Sequence, residues 1–242
     1  MVVSGTVIGF FASAALFGAT FLLPLYFQLV GGADASGSGF LVVPFLGSNC
    51  VGAYAAGQLA RRLGRTRALM CAGVGGCALG FALLATVTPA TPHVLTIAWQ
   101  LLLGVSIGVI MPTSLVATQN AAERRDVGTA TGMLLFLRSL GGAFGSTLVG
   151  ALLAARFGTV LHGLGLSVHV DLSEMRLHGA LAGVPPGAEA ALKAGLTGAF
   201  HLAFMACAIL MVLAGFVAVR MRDLPLRTVS AQEPAEAAVL AH

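Results

Sequence analysis

The stretch "GTATGMLLFLRSLGGAFG", residues 128–145, carries one charged residue, Arg138, among residues that otherwise belong in lipid. A bilayer core needs roughly 20 mainly apolar residues per helix, and this stretch supplies most of one crossing. Six such spans can be laid along the chain, near 6–30, 38–60, 68–88, 94–118, 128–155 and 197–219. A longer and more polar connection, 156–196, precedes the last span.

Composition points the same way. Of the 242 residues, 57% are apolar and 9% charged, and the mean hydropathy is +0.94. Soluble domains carry roughly 25% charged residues, so too few charges are present here to cover a soluble surface. The expected class is all-α and polytopic, with a lipid bilayer as solvent. Residues 1–221 read as one six-helix transmembrane domain and 222–242 as a disordered cytoplasmic tail. The opening "MVVSGTVIGFF" has no basic region, and no A-x-A-like cleavage site precedes the next span, so the first span reads as a retained anchor. Cys50, Cys71, Cys77 and Cys207 all fall in apolar runs without CxxC spacing and read as free thiols.

An even number of spans puts both termini on one side. Arg61, Arg62, Arg65, Arg67, Arg124, Arg125, Arg220, Arg222 and Arg227 share that side. The short opposite loops "GGADASG" and "TPATP" hold no Lys or Arg. Basic residues mark the cytoplasmic side, so both termini are expected in the cytoplasm and 156–196 outside. The formal net charge of +4 is then topological. No arginine stripe with interleaved aromatics points to nucleic acid.

Polar side chains are costly in lipid and turn toward protein or a watery cavity. Spans one, two, four and five carry them: Gln28, Asn49, Gln100, Thr113, Ser114, Thr118, Thr131, Arg138 and others. Spans three and six carry almost none. The expectation is an interior framed by one, two, four and five, with three and six peripheral. That pattern repeats every three helices, as in a three-plus-three transporter repeat.

Arg138 lies roughly 15 Å into span five at the helical rise, near the midplane. At about 100° per residue, Thr131, Gly142 and Gly145 share its face, and Phe136, Leu140 and Phe144 lie opposite. Gly141 with Gly145, and Gly128 with Gly132, form G-x-x-x-G pairs that allow close helix approach. Arg138 is either a packing residue bonded to neighbouring carbonyls and hydroxyls, or a cavity residue coupled to substrate or protons. None of the nine acidic residues falls within a predicted span. A proton-driven transporter needs a titratable group in its pathway, so that group is expected on another polypeptide or segment.

Four stretches carry a family resemblance: "LPLYFQLVGGADASGSGFLVVP" (23–44), "GQLARRLGR" (57–65), "TQNAAERRDVGTATG" (118–132) and "FLRSLGGAFG" (136–145). Together and in order they resemble the C-terminal half of a major facilitator superfamily transporter. More narrowly, they resemble the fourteen-helix drug:proton antiporters of the EmrB/QacA type. The second stretch resembles the loop motif G-x-x-x-D-R-x-G-R, with Gly57, Arg62, Gly64 and Arg65 in place and Arg61 where aspartate is usual. The resemblance implies half of a facilitator fold in a bacterial cytoplasmic membrane. It implies export of small amphipathic molecules by alternating access, driven by the proton gradient with no other cofactor. Its partner would be an absent N-terminal half or a second copy of the chain. Gln28, Asn49, Gln100, Thr131 and Arg138 are then the candidate cavity or inter-helix polar groups.

Two other readings remain. The chain could be a truncated remnant or an interaction subunit unable to transport alone. It could also be a membrane serine protease built on Ser38 of "SGSG" and His201, although no G-x-S-x-G-like serine lies within a span. In the long connection, His162, His169, Asp171, Glu174 and His178 match no familiar metal spacing. A solvated loop is expected there, with a turn and short helix at "VPPGAEAALKAG", and neither a metal site nor an enzyme is expected.

Overall fold

The computed structural model describes residues 2–63, 66–163 and 189–221. The proposed tail 222–242, the loop residues Gly64 and Arg65, and most of the long connection lie outside the described residues. Six helices account for nearly all of the rest: α1 (Val2–Leu29), α2 (Ala35–Leu63), α3 (Arg67–Leu84), α4 (His93–Ala121), α5 (Val127–Gly163) and α6 (Glu189–Arg220). All six are long and apolar enough to cross a membrane. A single 3-10 turn, Arg124–Asp126, leads into α5. The chain is an all-α, multi-pass membrane protein.

The helices outrun the expected spans most at the long connection. Helix α5 continues to Gly163 rather than 155, and α6 begins at Glu189 rather than 197. The short helix read within "VPPGAEAALKAG" is, from Glu189 onward, the first part of α6. Hydropathy reports transfer into lipid, whereas a helix ends where backbone bonding fails. "EAALKAGL" is rich in good helix formers and carries α6 beyond the lipid-apolar segment.

Packing pairs exchange when α1–α3 are swapped with α4–α6. Helix α1 packs on α5 as α4 packs on α2, and α4 packs on α3 as α1 packs on α6. The α1–α4 and α3–α6 contacts map onto themselves. That is the pattern of a three-plus-three repeat.

The expected interior framed by α1, α2, α4 and α5 needs correction. Helices α1 and α4 are central, α2 and α5 flank them, and α3 and α6 pack on α4, α1 and each other. Tyr26 of α1 meets Phe200 and Phe204 of α6 with ring centres 5.4 and 6.4 Å apart, and Phe81 of α3 lies 6.5 Å from Phe204. Polarity identifies helices that need protein neighbours. It does not exclude apolar helices from packing together.

Small residues set the two tightest contacts. A Cβ on Gly141 would strike the Phe10 backbone, and one on Gly145 the Ala14 backbone, so α5 lies directly on α1. On the other side, Gly52 abuts Val105, Gly104 abuts Phe45 and Ser48, and Gly108 abuts Asn49. The outward face of α5 exposes Met133, Phe136, Leu140 and Phe144, and α2 exposes Phe40, Val51 and Tyr54.

Candidate functional site

Arg138 reaches from α5 across to α4. Its Nη2 donates to the Ser114 hydroxyl at 2.7 Å and to the Met111 carbonyl oxygen. Ser114 Oγ itself donates to the Met111 carbonyl at 3.0 Å. A Cβ on Gly9 of α1 would strike the Leu134 Cδ1 methyl at 2.5 Å and lie 3.4 Å from Arg138 Nε, so the Arg138 side chain runs beside α1. Nε is buried and has no hydrogen-bond partner. One cation thus joins α4 and α5 beside α1, held by a carbonyl and a hydroxyl dipole.

The other polar candidates do not gather around it. Gln28 Nε2 donates to Ser38 Oγ at 2.8 Å and ties the end of α1 to the start of α2. Thr131 Oγ1 donates to its own helix at Val127 O, 2.8 Å, and accepts from Gln119 Nε2 at 3.3 Å near the end of α4. Asn49 sits at the α2–α4 contact with its Nδ2 buried and unpartnered. Gln100 is fully buried on α4, and neither amide atom has a partner. Thr118, fully buried against Gly5, also leaves its hydroxyl unpartnered. A buried polar group without a partner costs about 1–3 kcal/mol.

Most hydroxyls in the spans bond back to carbonyls three or four residues earlier. Ser48, Ser106, Thr113, Ser139 and Ser146 all do so. This local bonding satisfies a hydroxyl in an apolar medium without any partner helix.

Of the small-residue candidates, Gly141, Gly142 and Gly145 are buried against α1, Gly142 with a built Cβ 2.7 Å from the Phe17 ring. Gly128 and Gly132 are exposed, and a Cβ on either would meet nothing within 4 Å. The reading of that pair as a packing motif is therefore corrected within this chain. G-x-x-x-G permits close approach, but here the α1 contact lies further along α5. In the cytoplasmic-loop motif, Gly57, Arg61 and Arg62 are exposed on the last turns of α2.

Three contacts escaped the sequence reading: the acceptors for Arg138, the Gln28–Ser38 bond and the Gly104/Gly108 contact. Ser114 was legible as a polar residue beside Pro112, but nothing in sequence pairs it with Arg138. "GVSIG" at 104–108 is itself a G-x-x-x-G signal and could have been found.

The protease reading fails on geometry. Ser38 Oγ donates to Ala35 O and accepts from Gln28, while His201 Nε2 donates to the Val87 carbonyl at 2.6 Å. The two side chains serve different helix ends and form no dyad. The side chains of His162, His169, Asp171, Glu174 and His178 lie outside the described residues.

Residues 1–146 match the Major Facilitator Superfamily, and the match covers more than half of the chain. The chain belongs to the Major Facilitator Superfamily. It is thereby placed in a family of transporters rather than enzymes. The chain is 33% identical over 154 residues to the Multidrug transporter protein MdtP of Bacillus subtilis (strain 168), covering 64% of this chain and 28% of that protein. It is 29% identical over 225 residues to the MFS-type transporter Rv1877 of Mycobacterium tuberculosis, covering 91% of this chain and 32% of that protein. It is 31% identical over 159 residues to the Dehydrocurvularin exporter of Aspergillus terreus, covering 65% and 27%. The chain thus spans about a third of the length of the curated relatives it matches.

Proposed function

We propose that the chain is the C-terminal half of an efflux transporter similar to the fourteen-helix EmrB/QacA-type drug:proton antiporters. The observation that carries this reading is a six-helix, three-plus-three packing in a chain that covers only a little over a quarter of proteins named multidrug transporter or exporter. Such a unit would rock against a second half around a midplane site. The substrates are small amphipathic molecules, the energy source is the proton gradient, and no other cofactor is required. The partner is a separate N-terminal half or a second copy of the chain. The chain lies in the cytoplasmic membrane with both termini inside, as the nine clustered arginines support.

Within that scheme Arg138 is an inter-helix packing residue, because its Nη2 serves both Met111 and Ser114 of α4, while its Nε is left without a partner beside α1. The amides of Gln100 and Asn49, buried and unpartnered within this chain's own helix contacts, are inter-helix polar groups of the half. The proton-binding acid belongs to the other half. Among the described residues, Asp34 sits in the α1–α2 turn, Glu123 and Asp126 in the α4–α5 connection, and Glu189 at the first turn of α6. The absence of a carboxylate at mid-bilayer depth among them also supports a second reading, a subunit or remnant that cannot transport without its partner.

The test is proton exchange in inside-out vesicles from cells that co-express the chain with a candidate N-terminal half. Substrate-induced proton release only when both are present supports the antiporter half. Release that never depends on the chain contradicts it.

A further inference from the structure

Helices α3 and α6 line a groove of about 400 Å³. Cys71, Gly75 and Ala78 line it from α3, and Val212, Gly215 and Phe216 from α6. Two glycines leave open space along it. A Cβ on Gly75 would meet nothing within 4 Å, and one on Gly215 would approach only a Val74 methyl at 3.7 Å. At one end stand two guanidinium groups. Arg220 lines the groove, and Arg67, half-buried at the start of α3, donates from Nη2 to the Val219 carbonyl at 2.6 Å. Neither pairs with a carboxylate among the described residues; the described ion pairs belong to Arg125.

The dimensions decide what fits. From Cys71 to Ala78 on α3, and from Met211 to Arg220 on α6, the lining runs roughly 10–14 Å at the helical rise. That approaches half of a hydrocarbon core of about 30 Å, the depth of one leaflet. Apolar walls of leaflet depth ending in cationic groups at the interface match an acyl chain joined to a phosphate. Basic pockets between transmembrane helices on the cytoplasmic side suit anionic head groups.

We propose that the α3–α6 groove binds one anionic phospholipid. An acyl chain lies over Gly75 and Gly215, and the phosphate sits on Arg220 with Arg67 beside it. The inference goes beyond transport. Assigning the lipid to the cytoplasmic leaflet uses the membrane orientation proposed above, but binding in detergent tests the site whatever the orientation or transport competence.

The experiment uses the full 242-residue chain in mild detergent and native mass spectrometry. It is titrated with phosphatidylglycerol, with phosphatidylcholine of the same chains, and with glycerol 3-phosphate. One phosphatidylglycerol per chain is expected to be retained in preference to phosphatidylcholine, with glycerol 3-phosphate unable to displace it. Arg220→Gln should weaken that retention roughly fivefold, and Arg220→Lys should largely restore it. Gly75→Phe, whose Cβ would meet nothing within 4 Å, puts a ring in the groove and should abolish it with helicity and elution volume unchanged. Equal retention of phosphatidylcholine, displacement by glycerol 3-phosphate, or undiminished phosphatidylglycerol in both folded variants would overturn the proposal.

Discussion

Arg138 Nη2 on α5 lies 2.7 Å from Ser114 Oγ on α4, and both groups donate to the Met111 carbonyl. A charge within an apolar span is therefore held by one carbonyl and one hydroxyl, with no carboxylate among the described residues in the arrangement. The three groups lock α4 to α5 at a point where those helices otherwise touch little.

This linkage predicts a measurable coupling. Inter-helix hydrogen bonds in membrane proteins average about 0.6 kcal/mol and reach about 1.7, and a charged donor falls toward the upper end. A double-mutant cycle of Arg138→Met and Ser114→Ala should give a coupling of about 1–2 kcal/mol in detergent unfolding. Additive single effects would place the guanidinium elsewhere.

The glycines of α5 divide sharply. Gly141→Leu and Gly145→Leu must push α5 off the backbone of Phe10 and Ala14, so little folded protein should survive size-exclusion chromatography. Gly128→Ala and Gly132→Ala project into open space. There alanine removes the helix penalty of glycine, about 0.5–1 kcal/mol, and the melting temperature should hold or rise. A loss at 128 or 132 as large as at 141 would contradict this packing.

How much of this was legible follows from what sequence encodes. Six helices and their membrane class were, because apolar run length and scarce charge are properties of the chain itself. The Gly141–Gly145 pair and the outward set Phe136, Leu140 and Phe144 follow from helical periodicity, and the structure exposes all three aromatic and aliphatic side chains. Which glycines meet a neighbour was not legible. Gly128–Gly132 and Gly141–Gly145 share a pattern and differ only in what stands opposite. Polar candidates were found as residues but not as a cluster: Gln28, Thr131 and Arg138 bond to three different neighbours. Long-range partners such as Ser114 depend on helix register, which one sequence does not specify.

Gln100 offers a test of unmet polarity. Its amide is fully buried with no partner, so Gln100→Leu exchanges an uncompensated polar group for an apolar one of similar size. The chain alone should gain about 1 kcal/mol or stay level. A loss above about 1 kcal/mol would mean that the amide is bonded in this chain after all.

Orientation can be read chemically. In a background with Cys50, Cys71, Cys77 and Cys207 replaced by alanine, Asp34→Cys in the α1–α2 turn should react with an impermeant maleimide on intact cells. Arg124→Cys in the α4–α5 turn should react only after permeabilisation. The reverse pattern would invert the topology and would place the arginine end of the α3–α6 groove in the outer leaflet.

The most direct measurement is ethidium efflux from a pump-deficient bacterium expressing the 242-residue chain alone, with and without a proton uncoupler. On the proposed reading, in which the proton-binding acid lies on another half, the chain should give no uncoupler-sensitive efflux while membrane fractions contain the protein. Uncoupler-sensitive efflux by the chain alone would contradict the placement of the proton-binding acid on a separate half and would leave a second copy of the chain as the partner.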